Sequence, residues 1–354
     1  MTVDLDDPKL VDRLDPQGMG AMITGLPDQC RPAWDDAQAL PLPDIHRGLD
    51  RVVVLGIGGS AIGGDLVADL QRFHGDRPVQ VHRGYGAEGL ADERTLAIAS
   101  SYSGNTEETF EAFKHALGRG ALGLAITRGG QLADYCKDAG LPCLSVDFVG
   151  PPRASLGASV FSLLGLLAQL GYVRVNAKEV DDAVELARRQ VELLAPGVPT
   201  AENKAKRLAL AIGDRTLVIC GAQHLTGVAR RWKTQVAENA KRWAFAEELP
   251  EFQHNSVEGV NVLPSPSGAV FVILLRSDLF DPRVARRFDL TGELLEHSKT
   301  SHEDVEALGE SALAQIMTTT LFGDFVSYYL ALLRNVDPTP TPNLDWLKRR
   351  MTEG

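Results

Sequence analysis

Cysteine is scarce and scattered. Cys30, Cys136, Cys143 and Cys220 are the four in 354 residues, and no two form a C-x-x-C pair. That pattern excludes a disulfide framework or a zinc finger. Each thiol is expected to be a small buried apolar side chain, and the cytosol is the expected compartment. Residues 1–14 have no basic start and no apolar core, so no secretory signal is expected. Long apolar runs are missing too. The longest, 156–173, is broken by Ser159, Ser162, Gly165 and Gln169 and reads as a buried core helix rather than a membrane span. Basic residues are in deficit, 36 against 47 acidic ones, for a formal net charge of −11. Such a balance argues against a nucleic-acid-binding surface. It does not exclude a small anion held locally by backbone N–H groups and hydroxyls. Low-complexity tracts and a sequence-level repeat are also lacking.

What is present is enough apolar residue, 44% of the chain, to bury a core without staples. The length predicts two domains or two similar halves. Residues 1–50 are rich in Asp and Pro; a helix can open at Leu10–Leu14, kept short by Pro16 and Gly18, the segment through Pro43 is expected to be mostly loop, and 1–45 forms an N-terminal extension. From Arg51 the pattern alternates. Strands are expected at 51–56, 79–82, 96–100, 121–126 and 141–146, and helices at 61–73, 106–117 and 131–138. Two helices follow, 156–170 and 177–194, then a Pro-containing link at 195–199 and a short helix at 203–211. A looser echo comes next: strands at 215–220 and 269–275, helices at 224–240, 284–297 and 312–333. Alternation of this kind predicts an α/β fold with mainly parallel sheets covered by helices. The expected units are 46–195 and 196–354.

Ligands of open α/β sheets bind beyond the carboxyl ends of strands, where two segments draw attention. Gly56-Ile57-Gly58-Gly59-Ser60 fits a dinucleotide fingerprint only loosely. The acidic residue expected about 20 positions on is missing, for His82-Arg83-Gly84 stands there. A tight strand-to-helix turn is the alternative. Ser101-Tyr102-Ser103-Gly104-Asn105-Thr106 places three hydroxyls at an expected helix start. One hydroxyl would serve as a cap, and three exceed that need. Together with free N–H groups and the positive helix end they suit a phosphate. With no P-loop lysine following, a monoester fits better than a triphosphate.

The S-x-S-G-x-T-x-E-T run after a strand resembles the sugar isomerase (SIS) domain, and G-I-G-G-S strengthens the match. Further on stand Gly150-Pro151-Pro152-Arg153, then Glu238-Asn239-Ala240-Lys241, then Glu251-Phe252-Gln253-His254-Asn255. With Glu238 and His254 16 residues apart, these resemble the bifunctional phosphoglucose/phosphomannose isomerases, over about 51–351. The resemblance implies two SIS-type subdomains, each a parallel sheet between helices. It implies substrate-phosphate contacts at Gly59, Ser60, Ser101, Ser103 and Thr106, and an active-site arginine at Arg153. Glu238 would be the base, His254 the ring-opening acid/base, and Lys348 the C-terminal active-site lysine. Thr341, or alternatively Thr339, would leave room for the C2 epimer. A homodimer, with His254 reaching the site from the neighbouring subunit, is implied as well.

The chemistry is coherent with these residue types. Aldose–ketose isomerisation moves a proton between C1 and C2 through an enediolate. A partly buried carboxylate can shuttle that proton, a histidine can serve the ring oxygen, and a fixed arginine can meet the oxyanion. Without the resemblance, Glu238 reads as a solvated helix-face residue, His254 as a loop residue, Arg153 as half of an ion pair and Lys348 as a surface lysine. No cofactor or metal is expected, because no ligand spacing such as H-E-x-x-H occurs. Two other readings stay open: a non-catalytic sugar-phosphate sensor on the same fold, and an isomerase of another phosphosugar.

Overall fold

The computed structural model describes residues 3–261 and 269–353. The short helix expected near Leu10–Leu14 is present, but the loop expected after it is not. Residues 1–50 are not mostly loop but carry three helices, α1 (Pro8–Leu14), α2 (Met19–Thr24) and α3 (Leu26–Ala39). Asp7 caps α1 through the Lys9 N–H, with Pro8 in the first turn, where a missing N–H costs nothing. Pro16 and Gly18 lie between α1 and α2. There the Asp15 carboxylate accepts the N–H groups of Met19 (2.6 Å) and Gly20 (2.8 Å). Pro32 sits inside α3, against a cost of about 3 kcal/mol. What outweighs it is burial of Leu26, Cys30, Ala33, Trp34 and Ala37 along one face.

The first half then alternates as the sequence predicts: β1 (Arg51–Leu55), α4 (Gly58–His74), β2 (Val79–His82), β3 (Thr95–Ser101), α5 (Glu107–Gly118), β4 (Leu122–Thr127), α6 (Gly130–Ala139) and β5 (Cys143–Ser145). The strands pair in parallel in the order β2-β1-β3-β4-β5. β3 is buried along its whole length, as a central parallel strand must be. α7 (Leu156–Gln169) is the expected core helix. It lies so close to α3 that a Cβ on Gly157 would stand 2.6 Å from the Leu26 carbonyl oxygen.

Next come α8 (Ala177–Leu194), α9 (Lys204–Ile212), β6 (Thr216–Gly221), α10 (Thr226–Ala240), β7 (Ala244–Glu248), β8 (Val270–Arg276), α11 (Pro282–His297), β9 (Ser301–Glu306), α12 (Ala312–Leu333) and α13 (Pro342–Thr352). The second sheet is also parallel, in the order β7-β6-β8-β9. β7 and β9 did not stand out in the sequence because they are edge strands with polar, exposed residues (AFAEE and SHEDVE). By length and composition α12 could cross a membrane, but it is almost entirely buried within this protein. Of the cysteines, Cys30, Cys136 and Cys220 are buried as expected, and Cys143 is only half-buried.

Candidate active site

In both sheets the order of strands reverses beside the first strand, and in the first half that switch point falls between β1 and β3. Crevices at such points are where open α/β sheets bind ligands. α4 and α5 begin there, and neither has its first turn capped by a side chain. Thr106 is the residue before α5, yet its hydroxyl does not cap the helix. It accepts instead from Ser101 Oγ at 2.9 Å. Ser101 Oγ in turn accepts the Gly104 N–H at 3.1 Å, and Ser60 Oγ accepts the Tyr102 N–H at 3.2 Å. The hydroxyls thus tie the loop together and leave the helix N–H groups for an anion. Ser103 is exposed, its Oγ accepting from the Asn105 N–H at 3.2 Å. Only glycine can stand at 104. Its φ is +68°, and a Cβ there would lie 1.7 Å from the Gly129 carbonyl oxygen.

The same crevice touches Arg153. A Cβ on Gly59 would lie 3.1 Å from the Pro152 carbonyl and 3.3 Å from the Arg153 nitrogen. Arg153 sits in a single 3-10 turn, Pro152–Ala154, and is buried. Its guanidinium joins three distant parts of the chain. Nε donates to Asn239 Oδ1 at 2.8 Å and Nη1 to Glu238 Oε2 at 3.3 Å. Nη2 donates to the carbonyls of Pro338 (2.9 Å) and Thr339 (2.8 Å). Four of the five N–H bonds of an arginine are thereby used, and one on Nη1 is left for a ligand. Burial lowers the Arg153 pKa, opposed by the Glu238 charge. Below it, Arg231 donates to the Arg153 carbonyl at 2.7 Å and holds Asp324 through two bonds of 3.0 and 2.8 Å. Burial raises the Asp324 pKa, and Arg231 pulls it back.

Glu238 lies in the last turn of α10, with its side chain 30% exposed. It lines a cavity of about 740 Å³ with Lys241, Trp243 and Thr341, a size within the range of small-molecule sites. Thr341 precedes α13 and caps nothing. Thr339 is buried, bonds Arg153 through its carbonyl and leaves its own hydroxyl unpartnered. The packing of Gly59 on the Arg153 turn and the bonds of Arg153 to Glu238 and the 339 carbonyl thus link the phosphate loop to Glu238 and the threonine segment, although the cavity lined by Glu238 and Thr341 does not itself reach the loop. His254 and Lys348 are not drawn into this region among the described residues. His254 is exposed at the end of a 3-10 turn, Glu251–His254, and Lys348 is exposed on α13.

Sequence reasoning passed over Asn239 and Lys241, although the E-N-A-K run contains both. Asn239 is fully buried between Arg153 and Ser327, to whose Oγ its Nδ2 donates at 3.0 Å. It aims the guanidinium. Such an arrangement can abstract a proton from carbon with the carboxylate and meet the resulting oxyanion with the adjacent guanidinium. Among the described residues no group of three or more His, Cys, Asp or Glu is placed to hold a metal ion.

Comparisons with known proteins give the family and the fold. Residues 201–351 match the family described as bacterial phospho-glucose isomerase C-terminal SIS domain. The chain is 35% identical over 332 residues to a bifunctional phosphoglucose/phosphomannose isomerase of Caldicellulosiruptor bescii, covering 94% of this chain and 98% of that one. It is 31% identical to the enzyme of the same name from Thermoplasma acidophilum, covering 85% and 89%. Among solved structures it resembles a hypothetical protein of Thermus thermophilus, with TM-score 0.75 and 17% identity, over 98% of this chain and 93% of that one. At that identity the likeness concerns the fold alone.

Proposed function

The chain belongs to the bifunctional phosphoglucose/phosphomannose isomerase family, and from that premise we propose that it interconverts glucose 6-phosphate and mannose 6-phosphate with fructose 6-phosphate. The observation that carries this reading is the Arg153–Glu238 pair, whose carboxylate lines a sugar-sized cavity while the Arg153 turn packs against Gly59 of the phosphate loop. Gly59, Ser60, Ser101, Ser103 and Thr106 hold the phosphate. Glu238 takes the proton from C2 of the open aldose; the C–H electrons form the C1–C2 double bond, and O1 is protonated. Returning the proton to C1 while O2 loses its own gives the ketose. The spare Nη1–H of Arg153 stabilises the negative oxygen during both steps. Thr341 faces the same cavity as Glu238 and leaves room for the hydroxyl of either C2 epimer.

His254 opens the ring from a second copy of the chain, and Lys348 adds positive charge. Support for a homodimer comes from the apolar surface around the cavity. Trp243 is 83% exposed beside Phe245, and Trp346, Leu347 and Met351 of α13 are also exposed. Four free thiols support a cytosolic place of action.

The test is to supply each hexose 6-phosphate to purified protein and follow fructose 6-phosphate, with and without chelator. Turnover of both, unaffected by chelation, is expected. Tight binding without turnover would leave a sensor. Mixing Glu238→Gln with His254→Asn protein should restore part of the activity if sites are shared, and restoring none would refute sharing.

A further inference from the structure

Lys241 has no part in the mechanism above. It ends α10 with φ +54°, a left-handed conformation uncommon outside glycine. The turn brings its ammonium back over the helix end, where Nζ donates to the carbonyl oxygen of Glu238 and, at 3.1 Å, to that of Pro338. The Pro338 carbonyl also accepts from Arg153 Nη2 at 2.9 Å. One backbone oxygen is therefore shared by the site's arginine and by the lysine that follows its base. The 337–341 segment, from which α13 and Thr341 extend, is fastened at this point.

We infer that Lys241 is a positioning residue of the isomerisation: its ammonium clamps the 338 carbonyl to the helix turn that carries Glu238, fixing Glu238, Arg153 and Thr341 in mutual register. This rests on the isomerase reading. The clamp is pH-sensitive. Lys241 as a whole is exposed, but partial burial of its ammonium against the helix end and then the charge of Arg153 lower its pKa to about 8, opposed by Asp337 and Glu238. The other charged groups lining the cavity, Lys233 and Arg242, add positive potential and do not favour the ammonium. Above about pH 8 the amine becomes neutral, its bonds weaken, and the register loosens. Lys241 also lines the cavity itself, so the effect reaches the substrate without a change in the phosphate loop.

The experiment compares wild type, Lys241→Met and Lys241→Arg as full-length protein. It measures kcat and KM for glucose 6-phosphate between pH 6.5 and 9.5, affinity for inorganic phosphate, and melting temperature, with pH limits set about one and a half units either side of the lysine's lowered value. Lys241→Met should lose kcat by roughly ten- to a hundredfold, the loss expected when a site loosens, with KM, phosphate affinity and melting temperature little changed. Lys241→Arg should recover most of the kcat and move the alkaline fall of activity to higher pH. A Met variant within twofold of wild-type kcat would overturn the inference. So would equal losses in both variants, or an alkaline limb unmoved by arginine. If wild type itself turned over no sugar phosphate, the isomerase reading would fail first and the inference with it.

Discussion

The two halves share a strand order but use their crevices in opposite ways. Beyond β1 and β3, glycines and hydroxyls meet at the switch point beside the starts of two helices that no side chain caps. Beyond β6 and β8 the corresponding space is filled by side chains. Ser277 donates to Gln315 Oε1 at 2.5 Å, His224 Nε2 lies 2.9 Å from the same oxygen, and Gln315 Nε2 donates to Asp278 at 2.6 Å. Burial lowers the His224 pKa, opposed by the Gln315 bond and the Asp278 charge. A Cβ on Gly221 would stand 2.4 Å from the Leu225 carbonyl oxygen, so the backbone itself closes in. The second half has instead placed its chemistry at the far end of α10, where Glu238 meets Arg153 from the first half. On the proposed reading, one architecture thus yields a binding half and a reacting half, and function lies in the side chains set at the strand and helix ends.

The sharpest way to separate the halves is Glu238→Gln. It should lower kcat by about 10²–10⁴-fold, the usual worth of a general base, and leave phosphate affinity intact. Full activity in this variant, measured by the coupled assay, would remove the reacting half as described. Arg153→Met should break the seam. It strands the buried acceptors Asn239 Oδ1 and the 339 carbonyl and leaves the 338 carbonyl to Lys241 alone, at a cost on the order of 3 kcal/mol. Both stability and turnover should fall; chemical denaturation with an unchanged midpoint would contradict the account of Arg153 as the joint.

How much of this was legible beforehand follows the same physics. β1, β3, β6 and β8 stood out because strands covered on both faces are continuous apolar runs. β7 and β9 did not, since edge strands tolerate AFAEE and SHEDVE. α3 was hidden behind its prolines, because only the tertiary burial of Trp34 and Cys30 explains it. The phosphate loop, Glu238 and Arg153 were carried by motifs. The 338 and 339 carbonyls were not, as a backbone acceptor has no sequence signature. Asn239 and Lys241 were in view as letters, but their roles depend on where Arg153 and Pro338 arrive from elsewhere in the chain. His254 and Lys348 show the reverse: motifs single them out, and one copy of the fold leaves both on the surface.

Two smaller effects refine the contrast. Ser103→Ala touches only the binding half and should weaken sugar-phosphate affinity about fivefold, roughly one hydrogen bond of about 1 kcal/mol. Calorimetry giving unchanged affinity would take Ser103 out of the cradle. Asp69 on α4 joins the halves by accepting the Gly227 N–H of α10 at 2.6 Å. Burial raises its pKa to about 7, against the pull of that bond and of Arg72. A carboxyl raised in the folded state binds its proton more tightly there than in the unfolded chain. Its contribution is therefore fully present below about pH 4 and is lost as pH rises through 7. Asp69→Asn should remove that slope, making the protein's urea midpoint fall less between pH 5 and 8, by up to about 2 kcal/mol of stability. Identical slopes in the two proteins would contradict the buried state of this joint.

The central claim is that Glu238 moves a proton at C2 of a sugar phosphate held by the first half. Its most direct test is proton NMR of glucose 6-phosphate with the protein in deuterated buffer. The account predicts solvent deuterium appearing at C2 of the aldose and C1 of fructose 6-phosphate with wild type, and almost none with Glu238→Gln that still binds phosphate. Deuterium entering at the wild-type rate in the variant would contradict it.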